Sequence, residues 1–402
     1  MRSHSSIWAL GFTPPMGGLT PGKLYTSLSC LPFMKVLVVG AGFSGAVVAR
    51  QIVDHLRFPV DIIDKRNHLA GNCHTFRNED GIQVHAYGPH IFNTNQDDVW
   101  EFITRYGQFN PFVNRVKAVH AGSVFTLPIN LHTINQFYGT AFGPEQAREH
   151  LAKVADSSIT DPQNFEEQAL HFIGKDLYEA FFRDYTIKQW GCDPRELPAS
   201  ILKRLPVRFD YNDNYYNAKY QGIPAEGYTS IVQNLLDHGL IEIGLGQGYC
   251  HEMAKNYDIV IYTGAIDEYF KHGLGRLGYR TVEFKRFAGK GDFQGNAVIN
   301  YPGLSYPFTR VHEHKHFAPW ESHEATVWFE EYSKETGEDD TPYYPKRLPS
   351  DVSLYEQYRQ LAAKEENVHF LGRLGSYRYL NMDQAIGDAL AFAADMIKRY
   401  SH

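Results

Sequence analysis

Residues 34–45 read MKVLVVGAGFSG, and this stretch decides the fold. It opens with an apolar run, typical of a strand buried on both faces of a parallel sheet, and it closes with the pattern GxGxxG. A helical pattern (Ala46–Leu56) and a second strand (Val60–Ile63) follow, and Asp64 ends that strand. A strand, a glycine turn, a helix and a second strand ending in an acid predict a Rossmann dinucleotide-binding unit.

Each glycine of the motif has a physical task. Gly40 makes the turn, Gly42 lets backbone N–H groups approach a pyrophosphate, and Gly45 allows the helix to pack closely on the strand. The helix N-terminus adds positive potential for the phosphates. Asp64 is expected to accept hydrogen bonds from ribose hydroxyls. We therefore predict a bound dinucleotide.

The segments that distinguish FAD from NAD lie after Asp64 and near the C-terminus. Residues 65–72 read KRNHLAGN, which resembles the second glycine turn of the glutathione-reductase-type FAD fold. The strand Val368–Leu371, followed by Gly372-Arg373 and the helix Asp383–Tyr400, resembles the closing FAD element of the same superfamily. The N-terminus of that helix would face the flavin pyrimidine or the pyrophosphate. We predict that the cofactor is FAD.

Composition narrows the class of protein. The chain has 402 residues, 43% of them apolar, and a net charge of −7, which gives no reason to expect binding to nucleic acid or to an acidic membrane surface. The four cysteines (Cys30, Cys73, Cys192 and Cys250) form no CxxC pair, which argues against a disulfide scaffold or a zinc site. No apolar run approaches the ~20 residues that span a bilayer. We expect a soluble cytoplasmic protein.

The order of the patterns predicts an α/β protein whose FAD-binding Rossmann domain is interrupted by an inserted helical domain and an antiparallel β-sheet domain. Helices are predicted at Pro144–Val154 and Phe165–Phe172, and a buried strand within 258–265. The predicted sheet strands are Tyr279–Phe284, Ala297–Asn300, Thr309–Phe317 and Thr326–Phe329. The predicted divisions are a disordered extension (1–33), an FAD domain (34–110, 222–276, 347–402), a helical domain (131–180) and a substrate domain (111–130, 181–221, 277–346).

Two polar patterns are interpreted as structural. His312, His314 and His316 alternate, which would place them on one face of a strand, but no further Cys/His cluster supplies a fourth metal ligand with suitable spacing. The acidic stretch Glu330–Asp340 is predicted to be a solvated loop. No metal is expected.

Four further strings resemble the prokaryotic UDP-galactopyranose mutases, and the resemblance covers nearly all of residues 34–402. They are YGPHIF (87–92), FFRDYTIKQW (181–190), the segment from Tyr301-Pro302 to Thr309-Arg310, and GRLGSYRY (372–379). The resemblance implies that reduced FAD acts through N5 as a nucleophile on the anomeric carbon of UDP-galactose, with UDP as the leaving group. The pyranose and furanose forms would interconvert with no net redox change. It also implies a homodimer or higher oligomer.

The resemblance also implies residue roles. Arg204, which the family carries on a mobile loop, and Arg310 would grip the diphosphate as catalytic residues, because guanidinium groups suit phosphates. The other substrate contacts implied are Asn114, Phe181, Phe182, Tyr185, Thr186, Trp190, Tyr215, Arg280, Asn300, Tyr344 and Tyr379. The cofactor contacts predicted from the motifs and the resemblance are Gly40, Gly42, Phe43, Ser44, Gly45, Asp64, Lys65, Gly71, Asn72, His90, Ile91, Arg373, Met382, Asp383 and Ile386.

One position departs from the family pattern. After His90-Ile91-Phe92 the family has a second histidine that lies by the flavin, and this chain has Asn93. Asparagine can donate and accept hydrogen bonds but cannot change charge. Either a neighbour such as His85 substitutes or activity is altered. We hypothesise that Asn93 hydrogen-bonds main chain near the flavin.

Two other functions share this architecture. An FAD-dependent oxidase of the amine-oxidase type would release hydrogen peroxide and would need no arginine pair. A partner-binding protein like the GDP dissociation inhibitors would bind no flavin. FAD elements at both ends of the chain argue against the partner-binding protein.

Overall fold

The computed structural model describes residues 34–204 and 207–401, without the side chains of Ser200, Lys203 and Arg204. The predicted extension 1–33 lies outside the described residues. The strands are β1 (Val36–Val39), β2 (Val60–Asp64), β3 (Thr75–Arg77), β4 (Gln83–His85), β5 (Phe92–Thr94), β6 (Phe109–Pro111), β7 (Val116–His120), β8 (Ser123–Leu127), β9 (Tyr220–Pro224), β10 (Ile241–Leu245), β11 (Ile259–Tyr262), β12 (Tyr279–Lys290), β13 (Val298–Asn300), β14 (Arg310–Glu313), β15 (Ala325–Glu335), β16 (Tyr344–Pro345) and β17 (Val368–Phe370).

The helices vary from single turns to five turns. They are α1 (Phe43–Leu56), α2 (Asp97–Ile103), α3 (Leu131–Tyr138), α4 (Pro144–Val154), α5 (Phe165–Tyr178), α6 (Asp184–Trp190), α7 (Gly227–Leu236), α8 (His251–Ala254), α9 (Ile266–Tyr269), α10 (Pro349–Ala362), α11 (Gly372–Gly375) and α12 (Met382–Tyr400). None of these helices is both long and apolar enough to cross a membrane.

The glycine motif joins the central strand of a five-stranded parallel sheet to its first helix. The strand order is β10-β2-β1-β11-β17. Val36, Leu37 and Val38 in β1 are fully buried, and successive residues enter the cores on opposite faces of the sheet. Both faces of β1 are therefore covered, which is why its sequence is continuously apolar and does not alternate. The prediction of a Rossmann α/β fold is confirmed.

The motif glycines are required by close contacts at the end of β1. Gly40 has φ +110°, and a Cβ there would lie 2.0 Å from Thr263 Oγ1. A Cβ on Gly45 would lie 2.0 Å from the carbonyl oxygen of Gly40. The first turn of α1 is thus held directly against the strand end, as the fingerprint predicts.

A second, seven-stranded sheet has the order β16-β12-β15-β14-β13-β7-β8. Its pairs are antiparallel except for β13 with β7, which run parallel. A parallel pair needs a long crossover, and here the crossover (121–297) includes the whole helical insertion and several strands. The prediction of an antiparallel sheet is therefore right for every pair but this one.

Two predictions about this sheet are wrong. Strand β15 continues to Glu335, so the first half of the predicted loop Glu330–Asp340 is strand, and Glu331 is 1% exposed. Strand β14 ends at Glu313, and His314–Phe317 forms a 3₁₀ turn, so His312, His314 and His316 do not share a strand face. The early end of β14 breaks the twofold alternation.

The inserted helices surround a separate hydrophobic core. It contains residues of β7, β8, α3, α4 and α5, and α4 has the predicted bounds. Helix α5 is interrupted at Gly174, where φ is 76°, and a π turn (Glu179–Arg183) connects it to α6. This connection sets the direction of α6, which carries residues 184–190 of the string 181–190, while residues 181–183 lie in the π turn.

We expect the substitution Gly45→Ala to destabilise the Rossmann unit, because the added methyl group meets a backbone oxygen that cannot rotate away. The free energy of unfolding should fall by ~1–3 kcal/mol, measured by urea denaturation. Gly239→Ala is the matched control, since a Cβ there meets nothing within 4 Å. Equal unfolding midpoints for the two variants would contradict this account.

Candidate active site

A cavity of about 590 Å³ opens at the carboxyl ends of β1, β2 and β11. Its wall combines the first glycine turn, the end of β2, the second glycine turn at Gly71-Asn72, and the start of α11 and α12. This is where ligands bind to open parallel sheets. The volume lies within the ~300–1,000 Å³ typical of small-molecule sites.

Most of the predicted cofactor contacts lie in this wall. Those that do are Gly40, Gly42, Phe43, Ser44, Asp64, Lys65, Gly71, Asn72, His90, Arg373 and Met382. Gly45 and Asp383 lie outside it, the former packing α1 on β1 and the latter in the first turn of α12. Ile91 and Ile386 belong to hydrophobic cores. Their side chains pack in these cores, and their contact with the cofactor stays a prediction.

The wall has the chemistry that a dinucleotide requires. The Asp64 carboxylate is 9% exposed and accepts one backbone N–H on each oxygen, from Ala41 and Arg66, both at 2.9 Å. Each oxygen has a further lone pair for a ribose hydroxyl. The 14-residue helix α1 has no side-chain cap, so its first N–H groups remain available to an anion. The residues present therefore fit a dinucleotide.

Several residues in the wall were not predicted. Thr263 and Gly264 follow β11, and residues 247–249 follow β10. Both positions are carboxyl ends of parallel strands. The strand within 258–265 was predicted, so the rule that ligands bind at such ends could have identified Thr263 and Gly264.

His90 connects the cavity to a second polar cluster. Its Nδ1 lies 2.9 Å from the carbonyl oxygen of Gly88, and because a carbonyl can only accept, Nδ1 holds the proton and Nε2 is an acceptor. Burial, with Arg373 and Arg310 nearby, lowers the pKa of His90 to about 4. His90 is therefore a neutral imidazole.

Asn93 hydrogen-bonds main chain, as the hypothesis requires. Its Nδ2 donates to the carbonyl oxygen of Ile91 at 3.0 Å, and the residue is half-buried in β5. Asn93 is not in the cavity wall. The proposed substitute His85 is 1% exposed, and burial moves its pKa well below 6.5. Neither side chain offers a charge that changes near neutral pH.

The second cluster centres on Arg310. Its Nε donates to Glu331 Oε2 at 2.8 Å, and Glu331 is 1% exposed. Within residues 34–204 and 207–401, no hydrogen bond involves the two terminal nitrogens of Arg310. The carboxylate fixes the guanidinium and leaves its outer nitrogens for a ligand. Glu331 was not predicted, although this residue continues the inward alternation of Val327 and Phe329.

Tyrosines surround the Arg310 guanidinium. Burial raises the pKa of Tyr185 and of Tyr215, and the charge of Arg310 opposes both shifts. Burial also raises the pKa of Tyr344 to about 12. The structure therefore brings together three predicted substrate residues from separate segments of the chain.

Tyr344 and Tyr379 form the side of this cluster nearest the cavity. Their rings are stacked, with centroids 5.4 Å apart, and the Arg373 guanidinium lies 5.1 Å and 5.6 Å from the two ring centroids. Trp190 approaches Tyr379, with ring centroids 6.4 Å apart. Since Arg373 also lines the cavity, the tyrosine cluster and the cavity share a wall.

Two buried amides add acceptors. Asn114 and Asn300 are 3% and 9% exposed, and the Oδ1 atom of each has no hydrogen-bond partner among the described residues. Unpaired buried acceptors are costly, so they suit a ligand with hydroxyl or N–H groups. Thr186 is also buried.

Three of the predicted substrate contacts are packed in a core or bonded to protein groups. Phe181 is 3% exposed and packs among core rings such as Phe125, with Phe182 half-buried at the edge of the same core. Arg280 is 3% exposed and donates to Gln189 O, Lys188 O and Glu335. Its guanidinium is committed to protein acceptors, which favours a role in holding the end of α6 over contact with substrate.

The backbone of Arg204 ends a 3₁₀ helix (Ala199–Arg204), and its side chain lies outside the described residues. Its predicted role remains a prediction.

One group of possible metal ligands occurs in the described residues: Asp292, Glu313 and His316. Lys315 Nζ lies 3.0 Å from Asp292 Oδ1, and His316 Nε2 lies 2.8 Å from the same oxygen. Glu313 already accepts from three backbone N–H groups and from Thr326. Positive charge and hydrogen bonds thus satisfy these carboxylates, so we assign an ion-pair cluster.

Residues 180–379 match the family model GLF, UDP-galactopyranose mutase, and residues 38–106 match an NAD(P)-binding Rossmann-like domain. The chain also resembles a solved structure described as reduced UDP-galactopyranose mutase, with a TM-score of 0.72 and 16% identity over 92% of this chain and 95% of that one. At that identity the likeness shows the fold.

Two sequence relatives are much more similar. The chain is 52% identical to "Probable UDP-galactopyranose mutase" of Klebsiella pneumoniae over 363 residues, which is 90% of this chain and 94% of the relative. It is 49% identical to dTDP-fucopyranose mutase of Escherichia coli over 372 residues, 90% of this chain and 98% of the relative. The chain therefore belongs to the UDP-galactopyranose mutase family, a family of isomerases whose membership implies a flavin cofactor and a nucleotide-sugar substrate.

Proposed function

We propose that this protein binds FAD in the cavity of the parallel sheet and interconverts UDP-galactopyranose and UDP-galactofuranose. The observation that supports this most strongly is the setting of Arg310. Its guanidinium is fixed by a buried carboxylate, its outer nitrogens have no protein acceptor among the described residues, and its cluster shares a wall with the cavity. A diphosphate held there would present its sugar towards the cavity.

The chemistry that reduced FAD supplies when bound is a nucleophilic nitrogen, N5, for the anomeric carbon, and the exchange with UDP leaves no net redox change. The residues that would hold the cofactor are the glycine turns, Asp64 and Arg373. Arg310 would neutralise the diphosphate before and after the bond to the sugar breaks, with Arg204 as the proposed second guanidinium. The phenols of Tyr344 and Tyr379 would donate to phosphate oxygens.

UDP-galactose is proposed as the substrate because the relative named for it is 52% identical to this chain, compared with 49% for the dTDP-fucopyranose mutase. A galactose-linked and a 6-deoxygalactose-linked nucleotide differ at the C6 hydroxyl and in the base and ribose, whereas both have the diphosphate that Arg310 would bind. The likeness to a dTDP-fucopyranose mutase makes the second nucleotide a specific alternative. Both belong in the test.

The proposed function is tested by incubating the dithionite-reduced protein with UDP-galactofuranose and, separately, with dTDP-fucofuranose, and following products by chromatography. We expect conversion of UDP-galactofuranose to the pyranose form with the higher kcat/KM, and no conversion by the oxidised protein. Preference for the dTDP sugar would reassign the substrate. No conversion of either, with peroxide release from an amine, would favour an oxidase.

Removal of the Arg310 guanidinium should remove charge stabilisation of the departing diphosphate. We expect Arg310→Ala to lower kcat/KM by about 10²–10³-fold, the usual cost of losing a positioned charge-stabilising donor. The matched control is Arg115→Ala, which removes a half-exposed guanidinium paired with Asp213. Turnover that survives in R310A at the level of R115A would rule out the assigned role.

Neutralising the carboxylate behind Arg310 should act through Arg310. Glu331→Gln is expected to weaken UDP binding by about tenfold, since the ion pair that fixes the guanidinium becomes a weaker bond to a neutral amide oxygen, with affinity measured by titration calorimetry. Glu330→Gln, one residue away on the opposite strand face, should leave affinity unchanged. Because both side chains act as a unit, E331Q should have little further effect in an R310A background. Additive losses would contradict the coupling.

A further inference from the structure

The ammonium group of Lys188 lies among four backbone carbonyl oxygens of one loop. Nζ is 2.5 Å from the oxygen of Tyr301, 3.0 Å from that of Gly303, 3.0 Å from that of Tyr306 and 2.8 Å from that of Phe308. An ammonium group has three N–H donors, so the four acceptors share them. No carboxylate of the described residues forms an ion pair with Lys188. The group is surrounded by main-chain dipoles.

The loop 301–308 connects β13 to β14 and has few backbone bonds of its own. Tyr306 N donates to Gly303 O at 3.2 Å, and Tyr301 N donates to Thr309 O at 2.9 Å. Its tip is open to solvent, with Leu304 59% exposed. Inward-pointing carbonyl groups need hydrogen-bond donors. The Lys188 ammonium is a donor to four of the carbonyl groups in this short loop.

The two segments that Lys188 joins both lead into the Arg310 cluster. Asn300 immediately precedes the loop, and Thr309-Arg310 immediately follow it. Lys188 itself belongs to α6, which carries Tyr185 and Trp190. The position of Arg310 relative to the α6 side chains therefore depends on how firmly the conformation of loop 301–308 is held.

Helix α6 is a fixed base for this contact. Arg280 Nε donates to the carbonyl oxygen of Gln189 at 3.0 Å, and Ser333 Oγ donates to the same oxygen at 2.7 Å. The helix end is thus attached to strands β12 and β15. Through its hydrogen bonds, Lys188 attaches the loop to this fixed end of α6.

The charge state suits this contact. Burial lowers the pKa of Lys188 to about 8, and Asp184, one turn earlier on α6, opposes the shift. The carbonyl dipoles around Nζ favour the charged form further. The side chain is therefore expected to be an ammonium ion at neutral pH.

We propose that Lys188 is a positioning residue for the mutase reaction, whose ammonium group holds loop 301–308 against α6 and thereby places Arg310 opposite Tyr185. This inference rests on the proposed function, because it takes the Arg310 cluster as the nucleotide-sugar site. Lys188 touches neither substrate nor cofactor in this account.

The test compares Lys188→Met with Lys175→Met, whose side chain is 73% exposed on the neighbouring helix. The first readout is steady-state kinetics with UDP-galactofuranose. Because the loop holds Arg310 in both the bound and the reacting state, K188M should raise KM about tenfold and change kcat less than about threefold. Lys188→Arg retains the charge and several donors, so it should recover most of the wild-type KM.

The second readout is the rate of chymotrypsin cleavage after Leu304, which needs no turnover. Loss of the ammonium should open the loop locally, so cleavage in K188M should be about tenfold faster than in K175M. If K188M does not accumulate as folded protein, Lys188→Gln takes its place in both readouts.

KM and cleavage rates equal to those of K175M would overturn the inference, as would a K188R variant as impaired as K188M. If the wild-type protein converts neither sugar nucleotide, the proposed function has failed. The loop contact is still decided in that case, because unchanged cleavage in K188M refutes it and faster cleavage supports it.

Discussion

A carboxylate that is almost completely buried constrains the whole candidate site. Glu331 lies on the inward face of β15, directly opposite Arg310 on β14 in the strand register. A buried charge is tolerated only when it is paired and hydrogen-bonded. Arg310 supplies the ion pair at 2.8 Å, and His312 Nε2 lies 3.4 Å from the same oxygen. The register of two strands thus determines the direction of the guanidinium, and the tyrosines gather around the remaining face of that group.

The site also depends on how two sheets share side chains. Arg373 follows the last strand of the parallel sheet, donates to the carbonyl oxygens of Leu380 and Tyr343, and lies over the rings of Tyr344 and Tyr379. One guanidinium therefore belongs both to the cavity wall and to the tyrosine cluster. A nucleotide sugar at Arg310 and a flavin in the cavity would meet at this shared wall, which is the geometric requirement of the proposed reaction.

The local physics of the glycine motif explains why the Rossmann unit was predictable. The stretch from Val36 to Asp64 contains all three features of this unit: an apolar run buried on both sheet faces, a turn that only glycine fits, and an acid at the end of the next strand. The family resemblance is confirmed, since the four strings belong to a chain 52% identical to a relative with that name. Most predicted cofactor residues lie in the cavity because they follow strand ends.

The features that were missed depend on contacts between distant segments. Glu331 looks like part of an acidic surface run until β14 pairs with β15 and buries it. Ile386 lies three positions after Asp383, the predicted start of the last helix, and helical rotation directs its side chain into the core. The contact of Lys188 was not predicted. Its partners are main-chain carbonyl groups 113–120 residues away in the sequence, and a pattern of side chains does not reveal such partners.

The most direct test is a crystal structure of the reduced, flavin-bound protein with UDP. The account predicts that the diphosphate contacts the outer nitrogens of Arg310 while Nε stays on Glu331, with the uridine reaching towards Tyr185 and the open end of the diphosphate facing the cavity. UDP bound away from Arg310, or an Arg310 side chain released from Glu331 and turned to solvent, would contradict it.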